Sequence, residues 1–267
     1  MLGALTLYGK LVHHSLRAQL EYRASFWLKA LGLLLVSGAD FAFLWALFRR
    51  FGSLGGFSLA EVAVLYGIVN AGIAIADAMG RGLDTFGALV KSGDFDRVLL
   101  RPRSPLLLLI GQELTLRRLA RLSQAWLALA WGLSELRRPL DADTLAVLIA
   151  AHIAAALVFL SIWILQATLC FFTVESLEVM NIFSYGGAQV GQQPLSIYAP
   201  WLRRTFTAVV PVGTVVYYPG LLVLGRHDPL GGPAWLGYVA PLAGPAFFVV
   251  AVLTFGWGVR RYTSTGS

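Results

Sequence analysis

TLAVLIAAHIAAALVFLSIWILQATLCFFTV, residues 144–174, contains no charged side chain. A helix needs about 20 consecutive apolar residues to cross the hydrocarbon core of a bilayer, so this stretch is long enough to span it. Residues 205–225 and 229–259 are also uncharged and of sufficient length. These three segments predict an integral membrane protein built from helices.

Composition supports the same class. The 267 residues are 57% hydrophobic and 13% charged, with a mean hydropathy of +0.70. A soluble domain of this length cannot bury so large an apolar share, and so few charges cannot solvate its surface. The alternation of apolar and polar residues that a membrane β-barrel requires is not visible in the sequence.

Three further spans are predicted from stretches that carry a few polar residues. They are residues 26–48, residues 59–79 and, as a short run that its neighbours would have to extend, residues 122–134. Together with the uncharged segments they predict an all-α membrane protein with six transmembrane helices in one domain covering residues 1–267.

Basic residues predict the orientation of these spans. With the N-terminus inside, the inner side holds fifteen Lys and Arg residues and the outer side holds five. Cytoplasmic loops carry an excess of Lys and Arg, so both termini are expected in the cytoplasm. The formal net charge of +7 is then explained by these loops and by contact with anionic lipid, and no nucleic acid is expected as a partner.

The residues before the first span form an amphipathic pattern. Leu5, Tyr8, Val12, Leu16 and Leu20 recur at steps of three or four residues, with basic and histidine side chains between them. Such a helix is suited to lying in the headgroup region. We expect an interfacial helix over residues 1–24.

Catalytic and metal-binding motifs are not evident. The single cysteine, Cys170, excludes a disulfide within the chain, and no Cys/His set has metal-ligand spacing. The chain also has no Gly-x-x-x-x-Gly-Lys-Ser/Thr phosphate loop. We expect no enzyme activity, no metal and no cofactor in this chain.

Five polar residues fall within the predicted spans: Lys29, Asp40, Asn70, Asp77 and His152. Intramembrane ionisable groups are candidates for function. Lys29 and Asp77 lie about one turn from the inner ends of consecutive spans, which predicts an ion pair, although each can also reach the interface separately. Asp40 has no obvious partner and is a candidate for a dimer interface or substrate route. His152 is expected to bond to a neighbouring helix, or else to relay protons.

The loop between the second and third spans contains a dense polar stretch, SGDFDRVLLRPRSP, at residues 92–105. Before it, Phe86, Leu89 and Val90 predict the apolar face of a short helix that Gly93 can end. Pro102 and the proline at the end of the stretch break any continuing helix. The loop is either a stiff knob that receives force from a docked partner or an ordinary basic loop on lipid headgroups.

The order of these parts resembles the permease subunits of type 2 ABC exporters. GDFDRVLLRPRSPL is similar to a Gly-x-hydrophobic-Asp-x-x-Leu-hydrophobic-x-Pro stretch of that family, and residues 192–225 are similar to a run in bacterial six-span permeases. The resemblance implies that residues 80–104, here called the coupling segment, sit in a cleft of an ATPase subunit. The residues it implicates in coupling are Asp84, Phe86, Leu89, Val90, Gly93, Phe95, Asp96 and Arg97.

The same resemblance implies two ATPase subunits that bind ATP and Mg, a second permease, and a location in the bacterial inner membrane. Residues 175–204 are expected to form a cytoplasmic or interfacial connector. A self-contained secondary transporter would show paired broken helices in two related halves, and a membrane-embedded enzyme would gather polar groups at one depth. The sequence does not indicate the substrate.

Overall fold

A computed structural model describes residues 23–111, 119–137, 139–173 and 179–263. The helices in chain order are α1 (Arg23–Phe51), α2 (Leu59–Met79), α3 (Arg81–Asp84), α4 (Phe86–Lys91), α5 (Asp94–Leu99), α6 (Pro105–Gly111), α7 (Leu119–Glu135), α8 (Ala142–Leu169), α9 (Val179–Gly191), α10 (Pro200–Arg204), α11 (Val212–Leu224), α12 (Leu236–Val239) and α13 (Ala243–Arg261). Within these ranges the only β-structure is a bridge between Leu54 and Phe57.

The all-helical membrane architecture predicted from the sequence is confirmed. Within the described ranges, three helical segments are long and apolar enough to cross a membrane, namely Leu59–Met79, Ala142–Leu169 and Leu236–Arg261. A fourth is added if Pro200–Val209 and Val212–Leu224 are one bent span. The count of six spans stays a prediction, and the interfacial helix predicted over residues 1–24 lies almost entirely outside the described residues.

Helix α2 forms the centre of the bundle. It packs along α7 and α8, and most of its side chains are buried, including Val64, Leu65 and Ile68, which are fully inaccessible. Its start is fixed by a capping box, in which the Ser58 side chain accepts from the Glu61 backbone N–H and the Glu61 carboxylate accepts from the Ser58 N–H.

Small residues allow the close approach of these helices. A Cβ atom at Gly67 would lie 2.6 Å from Leu129 Cβ, and one at Gly132 would lie 2.6 Å from the Ala60 carbonyl oxygen. A Cβ atom at Gly72 would overlap Ala155 of α8. Glycine at helix interfaces is the usual device for close packing in membranes, where lipid is as apolar as the side chains.

At one end of the bundle, Arg226 ties the segment after α11 to the α1–α2 loop. Its Nη1 donates to Glu61 Oε1 and Oε2 at 3.0 and 2.9 Å and to the Gly56 carbonyl at 3.0 Å. The guanidinium carbon also lies 4.2 Å from the centroid of the Phe57 ring. The end of α11 therefore lies at the α1–α2 loop.

The fifth predicted span is not a straight helix. The helix that begins at Pro200 ends in a π-helical turn, Thr205–Val209, and the chain bends by 95° before α11. The bend coincides with Pro211, whose ring removes a backbone donor and fixes φ. The uncharged run of residues 205–225 predicts a segment long enough to span a membrane, but it does not predict this break in the helix.

The described part of the predicted connector, residues 179–204, contacts the bundle. Gly191 at the end of α9 packs against Val69, midway along α2, and Ile197 lies against Gly55 in the α1–α2 loop. Between Gly191 and Ile197 the chain thus passes from the level of the middle of α2 to the end of the bundle at the α1–α2 loop. The segment from Pro200 to Leu224 consequently starts and ends near the same loop.

We expect Gly72→Ala to lower the melting temperature of the purified protein in detergent. The added methyl group must push α2 away from α8, and overpacking of this kind costs about 1–3 kcal/mol. Gly256→Ala in α13 is the matched control, because a Cβ atom there meets no atom within 4 Å. Equal melting temperatures for the two variants would contradict the tight α2–α8 contact.

Candidate functional site

The coupling segment folds into three short helices, α3, α4 and α5. Gly93 joins α4 to α5 with a φ of +73°, a left-handed conformation that glycine adopts without strain. This turn brings Phe86 of α4 against Phe95 of α5, with ring centroids 5.0 Å apart. The prediction that Gly93 ends the first short helix agrees with this geometry.

These two rings are part of an aromatic cluster formed with both neighbouring membrane helices. Phe171, just after α8, lies 5.1 Å from Phe86 and 5.4 Å from Phe95, measured between ring centroids. Phe255 of α13 lies 5.9 Å from Phe86, and Tyr262 lies 5.3 Å from Phe95. The Phe86–Phe171 and Phe95–Tyr262 pairs are edge-to-face, an arrangement that adds to the stabilisation from burial.

This cluster changes the roles expected of the apolar coupling residues. Phe86 and Phe95 are fully buried, Val90 is 3% exposed and Leu89 is half-buried. The buried part of this apolar face therefore packs on the chain's own helices. These residues position the segment, and the coupling role of the segment as a whole stays a prediction.

The opposite side of the segment is exposed and mostly polar. Arg97, whose side chain is 83% exposed, pairs with Asp94 at 3.1 Å, and the Ser92 hydroxyl donates to Asp94 at 2.8 Å. Leu100 is 85% exposed, and the residues that follow up to position 104 are exposed as well. We call Lys91, Ser92, Asp94, Arg97 and residues 99–104 the exposed coupling face.

Close backbone packing fixes the segment to the bundle. A Cβ atom at Gly82 would overlap the Leu109 carbonyl of α6, and one at Gly80 would lie 2.8 Å from the Trp163 ring of α8. The coupling segment therefore follows the end of α2 directly and packs against α6 and α8.

A second polar site lies inside the bundle, between α2 and α7. Arg121 Nη2 donates to Asn70 Oδ1 at 3.0 Å, and the Asn70 amide donates to the Tyr66 carbonyl at 2.9 Å. Asn70 is 2% exposed and Arg121 is half-buried. By helical rise, Asn70 is about 16 Å from Leu59 and about 14 Å from Met79, close to the midpoint of α2.

The sequence predicts Asn70 as an intramembrane residue and begins the short third run at residue 122, so Arg121 falls just before it among the basic residues counted on the inner side. The structure instead puts Arg121 on α7, beside the middle of α2. The predicted start of the third span is too late because every cluster of arginines is assigned to a loop. The signal available in the sequence was length, because a span beginning at residue 122 is too short to cross alone.

Of the other predicted intramembrane residues, the structure describes the side chains of His152 and Asp77. His152 Nδ1 lies 2.7 Å from the Leu148 carbonyl, so its recorded bond is to its own helix and not to a neighbouring one. Asp77 is half-buried near the end of α2. The side chains of Lys29, Asp40 and Asp84 lie outside the described residues, so the Lys29–Asp77 pair stays a prediction.

Within the described ranges, no group of three or more His, Cys, Asp or Glu side chains is arranged to hold a metal ion. Asp96, the remaining acidic coupling candidate, is half-buried on α5.

An all-helical bundle with three or four apolar candidate spans in the described residues has the architecture of an integral membrane protein. The chain belongs to the ABC-2 family: the family model described as ABC-2 family transporter protein matches residues 34–266. The resemblance to type 2 ABC permease subunits is thereby confirmed. No curated protein and no solved structure matches the chain.

We expect Phe86→Ala to destabilise the protein strongly, because it removes a fully buried ring from the centre of the aromatic cluster. Phenylalanine truncations in cores cost about 3–5 kcal/mol. Leu100→Ala is the control, since its side chain is 85% exposed. The measurement is thermal melting in detergent, and a Phe86→Ala shift no larger than that of Leu100→Ala would contradict the positioning role.

Proposed function

We propose that this chain is the permease subunit of an ATP-driven exporter and that a separate ABC ATPase docks on the exposed coupling face. The observation that carries the proposal is the arrangement of the coupling segment. Its apolar face is held by the aromatic cluster, while its polar face points away from the bundle. In this arrangement a partner binds the polar face of the segment, and the apolar face passes the resulting displacement to the membrane helices.

Transmission follows from packing. Phe86 contacts Phe171, just after α8, and Phe255 of α13, and Phe95 also contacts Phe171. Close-packed interiors pass on displacement because they have little free volume. A push on the exposed coupling face would tilt these helices and α2 as a unit. ATP and Mg would be bound by the ATPase, because the chain has no phosphate loop.

Substitution on the exposed coupling face should separate docking from stability. We expect Leu100→Asp to reduce capture of an ATPase with a phosphate loop when the tagged chain is purified from native membranes. The melting temperature should remain near that of the wild type, because the side chain is 85% exposed. An anionic group at a contact surface costs desolvation energy on docking.

Leu140→Asp, at a 63% exposed position between α7 and α8, is the control and should leave capture unchanged. If Leu100→Asp and wild type capture the same amount of ATPase, the docking face is wrong. If wild type captures none, the proposed partnership itself fails.

For topology, we propose six crossings with both termini in the cytoplasm of a bacterium. The crossings are α1, α2, α6 with α7, α8, α9 with the turn after it, and α12 with α13. Helices α10 and α11 are then a re-entrant pair on the outer side. This is supported by Ile197 and Arg226, which flank the pair and both contact the α1–α2 loop.

Cysteine labelling tests this topology in a Cys170→Ser background. Cysteines at Ser53 and Ala199 should react with an impermeant maleimide in intact cells, and a cysteine at Ser92 should react only after lysis. All three positions are exposed. If the cysteine at Ala199 reacts only after lysis, residues 175–204 form a cytoplasmic connector as first predicted. If the cysteine at Ser92 reacts in intact cells, the proposed orientation is wrong.

The family architecture favours two permeases with two ATPases, so a second copy of this chain or a related permease is proposed as partner. The runner-up, a secondary transporter, gains no support from the single bent pair recorded in the described ranges, because the repeat architecture needs a corresponding broken helix in each half.

A further inference from the structure

A groove runs between the ends of α8 and α13 at the surface of the bundle. Its volume is about 310 Å³, and it is lined by Leu165, Thr168, Leu169, Phe172, Thr254 and Trp257. The hydroxyls of Thr168 and Thr254 donate to carbonyls one turn back on their own helices, at 2.8 and 2.7 Å. The walls of the groove are therefore apolar throughout. Such a groove matches a hydrocarbon chain and offers no hydrogen bond to a polar ligand.

Close packing of the two helices gives the groove a fixed shape. A Cβ atom at Gly258 of α13 would lie 2.7 Å from the Phe171 ring and 3.0 Å from Thr168 Cγ2. Next to these residues in the chain, the rings of Phe172 and Trp257 contact each other, with centroids 5.2 Å apart. Ligand sites are concave and largely preformed, so a recess between two fixed helices can hold one chain where a convex helix surface cannot.

The groove begins near the end of α13 and extends toward the middle of the helix. Thr254 lies about 10 Å from Arg261, the last residue of α13, by helical rise. Trp257 lies between them and is 44% exposed. Tryptophan concentrates at the level of lipid headgroups, because its ring has an apolar body and a polar N–H. The mouth of the groove is accordingly at headgroup level, and its far end is in the hydrocarbon region.

Two arginines stand at this mouth. The Arg261 guanidinium carbon lies 5.5 Å from the centroid of the Trp257 ring, and Arg260 precedes it at the end of α13. Both arginines are exposed. The planar guanidinium matches the oxygens of a phosphate group. An apolar groove with cationic groups at its headgroup end is complementary to a phospholipid of negative net charge.

A second copy of the chain fits this surface less well. In a two-fold symmetric dimer the same patch of both copies meets. The arginines at the mouth of the groove would then lie beside those of the partner, and like charges in contact oppose association. An anionic lipid neutralises them instead.

We propose that this groove binds one acyl chain of an anionic phospholipid, whose phosphate pairs with Arg261 while Arg260 adds to the positive charge. In the proposed topology this end of α13 faces the cytoplasm, so the lipid comes from the inner leaflet, whose surface is negative. The choice of leaflet rests on that topology. The lipid site does not, because it belongs to this chain alone and requires no ATPase.

The test is lipid binding to the purified full-length chain in a neutral detergent, measured by native mass spectrometry as each lipid is titrated. Dioleoylphosphatidylglycerol is the anionic lipid. Dioleoylphosphatidylcholine has the same chains with a headgroup of zero net charge, and glycerol 3-phosphate is the anion without chains. We expect one phosphatidylglycerol per chain, with phosphatidylcholine bound at least about fivefold more weakly and glycerol 3-phosphate not retained.

Arg261→Gln should lower the affinity for phosphatidylglycerol about fivefold and leave that for phosphatidylcholine nearly unchanged, because one basic side chain at the headgroup is lost. A purely structural role of Arg261 would not separate the two lipids. Arg49→Gln is the matched control and should change neither affinity. The Arg49 guanidinium carbon lies 4.5 Å from the centroid of the Trp45 ring at the end of α1, with the same spacing of four residues, but Arg49 does not line the groove.

Thr254→Phe should lower the affinity for both lipids, because the added ring fills the groove. Leu253→Phe is its control, since it adds the same ring at a 67% exposed position outside the groove. If Thr254→Phe does not fold, Trp257→Ala carries the test. It removes a partly exposed wall of the groove, so the affinity for both lipids should again fall.

Four results would overturn the proposal. The first is equal affinity of the wild type for the two lipids, and the second is wild-type phosphatidylglycerol affinity in Arg261→Gln. The third is unchanged lipid binding when the groove is filled or its wall removed, and a dimer lost in Thr254→Phe would then assign the groove to a second copy. The fourth is glycerol 3-phosphate bound as tightly as phosphatidylglycerol. If the lipid binds as expected while the wild type captures no ATPase, the lipid site stands and the exporter proposal fails.

Discussion

The close approach of α2 to its neighbours is the constraint on which the rest of the bundle depends. Gly67 and Gly132 allow α7 to reach backbone distance, and Gly72 does the same for α8. In lipid there is no hydrophobic gain from joining two apolar helices, so contact area and backbone proximity provide most of the association energy. With α2 fixed between α7 and α8, the α1–α2 loop and the coupling segment take defined positions at its two ends.

The two ends of α2 are held by different interactions. At one end, the Glu61 carboxylate caps the helix and also accepts from Arg226, so a single side chain fixes the helix start and the segment after α11. At the other end, Gly80 allows Trp163 to pack against the turn into the coupling segment. The first end is held by charge and hydrogen bonds, and the second by ring packing. This difference is consistent with the proposed topology, in which the first end faces the outer side and the second end faces the docked ATPase.

Hydrophobicity predicted the helical membrane class because unbroken apolar runs have one physical explanation. It could not predict which face of the coupling segment is buried. Phe86 and Phe95 form an amphipathic pattern whether their partner is another protein or Phe171 of the same chain, and only the tertiary contact distinguishes the two. The bend at Pro211 could not be predicted either. An uncharged run shows that a segment can lie in lipid, but it does not show whether the helix is straight. Periodicity within an element is local, whereas these features depend on contacts between distant elements.

The placement of Arg121 shows where charge counting reaches its limit. The positive-inside rule treats an arginine as a loop marker because its cost in lipid is high. That reasoning fails where a protein group receives the side chain, as the Asn70 amide does at the midpoint of α2. If Arg117, Arg118 and Arg121 are removed because they fall within the proposed third crossing, and Arg203 and Arg204 are moved outside with the proposed re-entrant pair, ten basic residues remain inside against seven outside. The predicted orientation is therefore unchanged by the proposed topology, because it rests mainly on the basic residues of the N-terminal and α2–α6 regions.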